Sequence, residues 1–183
     1  MFPVALLLAA STPSAPVPKV LVELVTNGSF EDGPDVDLWH TMPVGSMKIK
    51  GWKTTRGKID YIGSQWTAGE GKRSIDLHGS PGFGGIKQKL NVKKGKTYTV
   101  TFLMAGTPGG VPSEKSLWVE AAGAKKKFTF DSKGKTKDKM GWESVKWEFT
   151  ADDDVVELEF YTAETEDENQ GPVIDNVSVK EKE

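Results

Sequence analysis

The chain has 183 residues, room for one domain at roughly 150 residues per domain, and enough to bury a core unaided. Twenty-four Lys and Arg against 26 Asp and Glu give a net charge of −2, and only two of the basic residues are Arg, which argues against nucleic-acid binding. The absence of cysteine excludes disulfides, cysteine nucleophiles, thiolate zinc sites and iron–sulfur clusters.

Residues 2–10 read FPVALLLAA and are followed by STPSAPVP. A bilayer span needs about 20 apolar residues, so this run is too short to cross. It matches the apolar region of a secretory signal, followed by small residues. A buried N-terminal strand is the alternative, but the run of Leu and Ala at 6–10 suits a helical signal better. The reading is a signal peptide and leader over residues 1–18 and one domain over 19–183. The expected address is secreted, periplasmic or cell-surface, with no transmembrane span.

From Val20 onward the hydrophobic period is two. Runs at 21–25, 47–54, 58–62, 73–77 and 86–92 read as strands, as do 97–104, 117–121, 125–130, 144–149, 156–161 and 173–179. The third quarter shows the pattern best: Tyr98, Val100, Phe102 and Met104 alternate with Thr97, Thr99, Thr101 and Leu103. Gly and Pro clusters punctuate the runs, notably at 79–82 and 107–110. No stretch has a helical period with caps. About ten short strands separated by turn signals predict an all-β sandwich or barrel.

Charge is uneven. Residues 124–139 hold seven Lys and two Asp, whereas 150–171 hold nine acids and no base. These read as solvated faces and loops in preference to a polyanion site beside a calcium loop. The segment 131–138 lacks the ligand spacing of an EF-hand.

Four motifs carry a resemblance. Val25-Thr-Asn-Gly-Ser-Phe-Glu31 opens the domain and Pro172-Val-Ile-Asp-Asn-Val-Ser-Val179 closes it. Between them stand Ile59-Asp-Tyr-Ile-Gly-Ser-Gln-Trp66 and Gly71-Lys-Arg-Ser-Ile-Asp-Leu77. Together with Phe128-Thr-Phe-Asp131 and Met140-Gly141-Trp142, they resemble the DUF642 family, in its bacterial choice-of-anchor C branch. The resemblance implies a galactose-binding-like jelly-roll β-sandwich akin to carbohydrate-binding modules. It also implies exported bacterial relatives and plant relatives associated with cell walls. Members of that branch often continue into an anchoring segment; here the chain stops at Lys180-Glu-Lys-Glu183, so free secretion is expected.

Asp175 shares parity with Val173, Val177 and Val179, which reads as the core face, where a carboxylate needs a partner. By resemblance to jelly-roll carbohydrate-binding modules, an opening Glu and a closing Asp help hold a structural calcium ion. Glu31 and Asp175, with Asn27, are the implied ligands. The alternative is that these side chains accept backbone N–H bonds at turns.

Trp147 has core parity. Trp66, Trp118 and Trp142 do not, and an aromatic ring off the core suits stacking on a sugar, a protein interface or a minor apolar cluster. Trp66 on a turn, with Gln65 beside it to bond hydroxyl groups, is the first choice for a ligand contact, followed by Trp118 and Trp142. A catalytic pair drawn from Asp60, Glu70 and Asp76 is not favoured, because no long loop forms a deep cleft. No Gly-x-Ser-x-Gly elbow accompanies His40 or His78.

The sequence reading is therefore a secreted, non-catalytic module binding cell-wall or extracellular polysaccharide. The basic strip at 125–127 points to acidic glycans. The alternative is a structural surface or matrix protein that binds protein partners.

Overall fold

The computed structural model describes residues 21–79, 82–162 and 170–182. The expected leader at 1–18 lies outside them. Eleven strands and no helix make up the described residues: β1 Trp39–Met42, β2 Lys53–Thr55, β3 Ile59–Ile62, β4 Ser74–Asp76, β5 Gly85–Asn91, β6 Thr97–Gly106, β7 Glu114–Ala121, β8 Ala124–Asp131, β9 Glu143–Thr150, β10 Val155–Tyr161 and β11 Pro172–Glu181. They form two antiparallel sheets. The first has the order β1-β3-β4-β11-β6-β9 and the second β2-β5-β10-β7-β8. The closing strand lies mid-sheet between β4 and β6, so the chain crosses repeatedly between layers, as a jelly roll requires. Among the described residues no helix is long and apolar enough to cross a membrane.

Period two produces this sandwich. On β6 the side chains of Tyr98, Val100, Phe102 and Met104 are buried, while the threonines between them are half-exposed. Phe102 reaches the second sheet, with ring centroids 5.1 Å from Phe160 and 5.7 Å from Phe128. Trp52 joins the same layer, 5.3 Å from Phe30 and 6.3 Å from Phe160. Each such side chain contributes about 1.5–3 kcal/mol on leaving water, and one continuous cluster runs the length of the domain.

The segment predicted at 21–25 is no strand; one backbone bond, Leu24 N to Val179 O (3.0 Å), and the Glu23 carboxylate, which accepts Val179 N–H and the Ser178 hydroxyl, tie it to β11. The run at 47–54 is mostly a turn, closed by Trp52 N to Ile49 O, and only Lys53–Thr55 pairs with β5. Strand β1 escapes the pattern because it is four residues long and sits at a sheet edge, where burial does not enforce alternation.

The parity of Asp175 requires correction. A register shift lies between Asp175 and Ser178, and Asn176 takes a φ of 47°. This is a β-bulge, which inserts one residue and swaps the faces that follow. Ile174 opposes Met104 and Val179 opposes Val100, both on the inter-sheet face. Asp175, opposite Leu103, therefore points away from the second sheet, and is buried by what covers it.

Candidate functional site

Strands β3 and β4 are apolar runs interrupted by one carboxylate each. Tyr61 opposes Ile75, and Ile75 opposes Ile174, all on the inter-sheet side. Alternation then sends Asp60, Ile62, Ser74 and Asp76 to the outer face. There the register aligns two rows across three strands: Trp39–Ile62–Ser74 and Thr41–Asp60–Asp76.

The loop at 63–73 folds back over this face. Trp66 donates its indole N–H to Ser74 Oγ at 3.0 Å. Asp175 Oδ2 accepts the N–H groups of Gly69 and Glu70 at 2.9 and 2.8 Å. Glu31 Oε1 accepts those of Lys72 and Arg73 at 2.7 and 2.8 Å. Trp142 braces the loop from the other side, its indole N–H on Thr67 O at 3.1 Å, and Thr67 N–H bonds Lys137 O. A loop that cannot form a ladder thus has its polar backbone satisfied by carboxylates and carbonyls.

What the loop leaves open is a cavity of about 290 Å³ on the outer face, lined by Trp39, Asp60, Gln65, Trp66, Asp76 and Lys137, with Thr107, Pro108 and Gln170 at the neighbouring strand ends. Asp60 and Asp76 form its buried floor, while Trp39 is 46 % exposed. Thr41 Oγ1 donates to Asp60 Oδ1 at 2.6 Å. Thr107 Oγ1 donates to Asp76 Oδ2 at 2.6 Å, and His78 N–H to Asp76 Oδ1 at 2.9 Å. Burial pushes the Asp76 carboxyl up to about 7 against these donors, and the charge of Asp60 adds to the rise. The cavity floor therefore offers acceptor oxygens to a hydroxyl-rich ligand.

The predicted ligand contacts separate. Gln65 and Trp66 meet at this cavity, but Trp66 is only 8 % exposed and belongs to the core cluster, so it presents an edge and not the freestanding face expected of a turn. Trp142 is a loop brace, partly buried against the core. Trp118 stands on the outer face of the second sheet, opposite Lys127 and Tyr161, with Lys125 Nζ 5.0 Å from its ring centroid. Asp60 and Asp76, weighed above only as a catalytic pair, and Trp39 complete the cavity. The signal for the two aspartates was present: a carboxylate set within an apolar strand run.

The three implied calcium ligands are engaged by hydrogen bonds within the protein. Asp175 spends both oxygens on N–H donors, Asn176 N being the third, and Glu31 Oε1 takes two more. Asn27 is occupied by Asp32 and Lys50: its Nδ2 donates to both carbonyls and its Oδ1 accepts Asp32 N–H. Amide hydrogens aimed at these oxygens oppose a cation there. Among the described residues no group of three or more His, Cys, Asp or Glu side chains is placed to hold a metal.

Fold and site together define a jelly-roll β-sandwich carrying a small cavity, part polar and part aromatic, on one outer face. The chain belongs to the DUF642 family, described as a protein of unknown function, whose model matches residues 23–180. It is 34 % identical over 165 residues to Halomucin of Haloquadratum walsbyi, covering 86 % of this chain and 2 % of that protein. It is 28 % identical over 166 residues to the Arabidopsis thaliana protein DUF642 L-galactono-1,4-lactone-responsive gene 2, covering 86 % of this chain and 42 % of that one. The chain thus spans less than half of either relative. Among solved structures, the fold resembles TmCBM61 in complex with β-1,4-galactotriose at a TM-score of 0.51 and 14 % identity, covering 88 % of this chain and 99 % of that one. It also resembles arabinose-bound MgGH51 α-L-arabinofuranosidase at a TM-score of 0.57 and 13 % identity, covering 87 % of this chain and 26 % of that one.

Proposed function

We propose that this domain is a non-catalytic carbohydrate-binding module that seats one sugar residue in the Asp60–Asp76 cavity. The carrying observation is the floor: two buried carboxylates, in register on β3 and β4, below an exposed indole and an amide. Paired carboxyl groups bond neighbouring hydroxyls of a sugar ring, Gln65 adds a donor and an acceptor, and Trp39 offers a surface for the ring's C–H face. The volume lies just below the ~300–1,000 Å³ of pockets for drug-sized ligands, which suits a single ring.

The same floor argues against glycoside hydrolysis. That reaction needs two carboxyls flanking the scissile bond about 5–10 Å apart. Asp60 and Asp76 lie side by side on one face of one sheet, each held by a threonine hydroxyl, and do not face each other across a cleft. A polysaccharide of the cell wall or extracellular matrix is the expected partner, and export is the expected route. In affinity electrophoresis through neutral polysaccharides, the native domain should be retarded and Trp39→Ala should run free. Equal retardation of the two places the sugar elsewhere.

A further inference from the structure

A second concavity, also of about 290 Å³, lies on the opposite sheet where the turn before β2 curls over β5. Trp52 and Met47 supply its apolar part. Trp52 is fixed by its indole N–H on Asn27 O at 2.9 Å and by its packing on Phe30 and Phe160, whereas Met47 is 73 % exposed. Gln88 holds the back wall, clamping Thr26 through both amide atoms. Three lysines, Lys53, Lys87 and Lys89, and one carboxylate, Glu157 opposite Lys89, stand around it.

Their pairing is unusual. Lys53 lies directly opposite Lys87, and like charges so placed repel. The nearby acids are already committed: Glu157 to Lys87 at 2.7 Å, and Glu159 to Arg56 through Nε and an NH2 nitrogen at 2.9 and 2.8 Å. Among the described residues Lys53 and Lys89 have no ion-pair partner. The lysines of strand β8, which the sequence offered as the basic strip, are arranged differently. Lys125 and Lys126 lie over the rings of Trp118 and Phe128, and β8 is a sheet edge, where lysines deter pairing with other chains.

We propose that the β2–β5 groove is a second glycan site, taking a sugar residue that bears a carboxylate or sulfate group. The anion bridges Lys53 and Lys89, while the C–H face of the ring lies against the exposed Met47. The carboxylate floor of the first cavity repels such a residue, so the two sites take sugars of opposite electrostatic character. A domain bearing both links a neutral glycan to an anionic one.

The test uses the full chain and two probes of equal length, trigalacturonate and a sulfated galactotriose, titrated calorimetrically at low salt. Binding of at least one probe is expected. Lys53→Ala/Lys89→Ala should weaken it about tenfold or more, the loss of charge-assisted bonds. Met47→Ala should weaken it less, and Lys125→Ala/Lys126→Ala should leave it unchanged. In about 1 M NaCl, where charges are screened beyond ~3 Å, binding should vanish. Which probe binds identifies the anionic group. Failure of both probes to bind overturns the proposal, as does native-like affinity in Lys53→Ala/Lys89→Ala. Loss confined to the β8 variant overturns it too. All five substituted side chains are at the surface, and circular dichroism checks that the variants fold. Retardation by neutral polysaccharide, which reads the first cavity, is expected to be unaffected by the lysine changes, so the two readings fail separately.

Discussion

Asp60 and Asp76 stand directly opposite each other on β3 and β4, 5 % and 3 % exposed, each accepting a threonine hydroxyl at 2.6 Å. Two carboxylates so close and so buried repel when both are ionised. The fold retains them on the outer face, where apolar residues would close the surface at lower cost. This retention of costly groups is the physical basis for reading the cavity as a binding site.

The pair makes stability depend on pH. Burial raises the Asp76 carboxyl from 3.8 to about 7, so the folded state binds this proton more tightly than the unfolded chain. Its stabilising contribution is complete below about pH 4 and is lost as pH rises through 7. Asp76→Asn should therefore flatten part of the decline in melting temperature between pH 4 and 8. Asp175, also raised to about 7 by burial, accounts for a further part. A variant whose pH profile parallels the native one would show that Asp76 titrates normally.

Asp175 and Glu31 act as fasteners of the loop at 63–73. Asp175→Ala strands the N–H groups of Gly69 and Glu70 and should cost about 1–3 kcal/mol in urea unfolding. A chelator should leave the melting temperature of the native domain unchanged, because amide hydrogens occupy the oxygens a calcium ion would use. A fall of several degrees on chelation would restore the metal reading.

The tryptophans divide by burial. Trp66→Ala should destabilise by about 3–5 kcal/mol, as for a core residue, whereas Trp118→Ala on the outer face of the second sheet should cost much less. Equal costs in chemical denaturation would contradict the assignment of faces.

These assignments show where sequence reading succeeds. Strand β6 was legible because ten residues alternate against a continuous core. Asp175 was misread because parity carries across a bulge only if the bulge is known, and Asn176 in a left-handed conformation leaves no hydrophobic signature. Trp66 looked exposed because its neighbours Ser64, Gln65 and Thr67 are turn residues. Its burial comes from a loop folded over an outer face, a long-range fact. Glu31 and Asp175 read as joint ligands of one ion, whereas each accepts backbone N–H groups from a different part of the loop at 63–73, a long-range contact with no local signature. Trp39 lay on a strand too short to alternate.

The Asp60–Asp76 floor is proposed to bind sugar. A glycan array of neutral oligosaccharides, probed with the native domain and with Asp60→Asn, tests it most directly. Asn keeps the size of the side chain and an acceptor for Thr41 but removes the charge. The native domain should bind a defined set of terminal sugars, and the variant should lose roughly ten- to a hundredfold in affinity for that set with its fold intact. Native binding that survives Asp60→Asn undiminished, or a native array blank for every neutral glycan, would contradict the account.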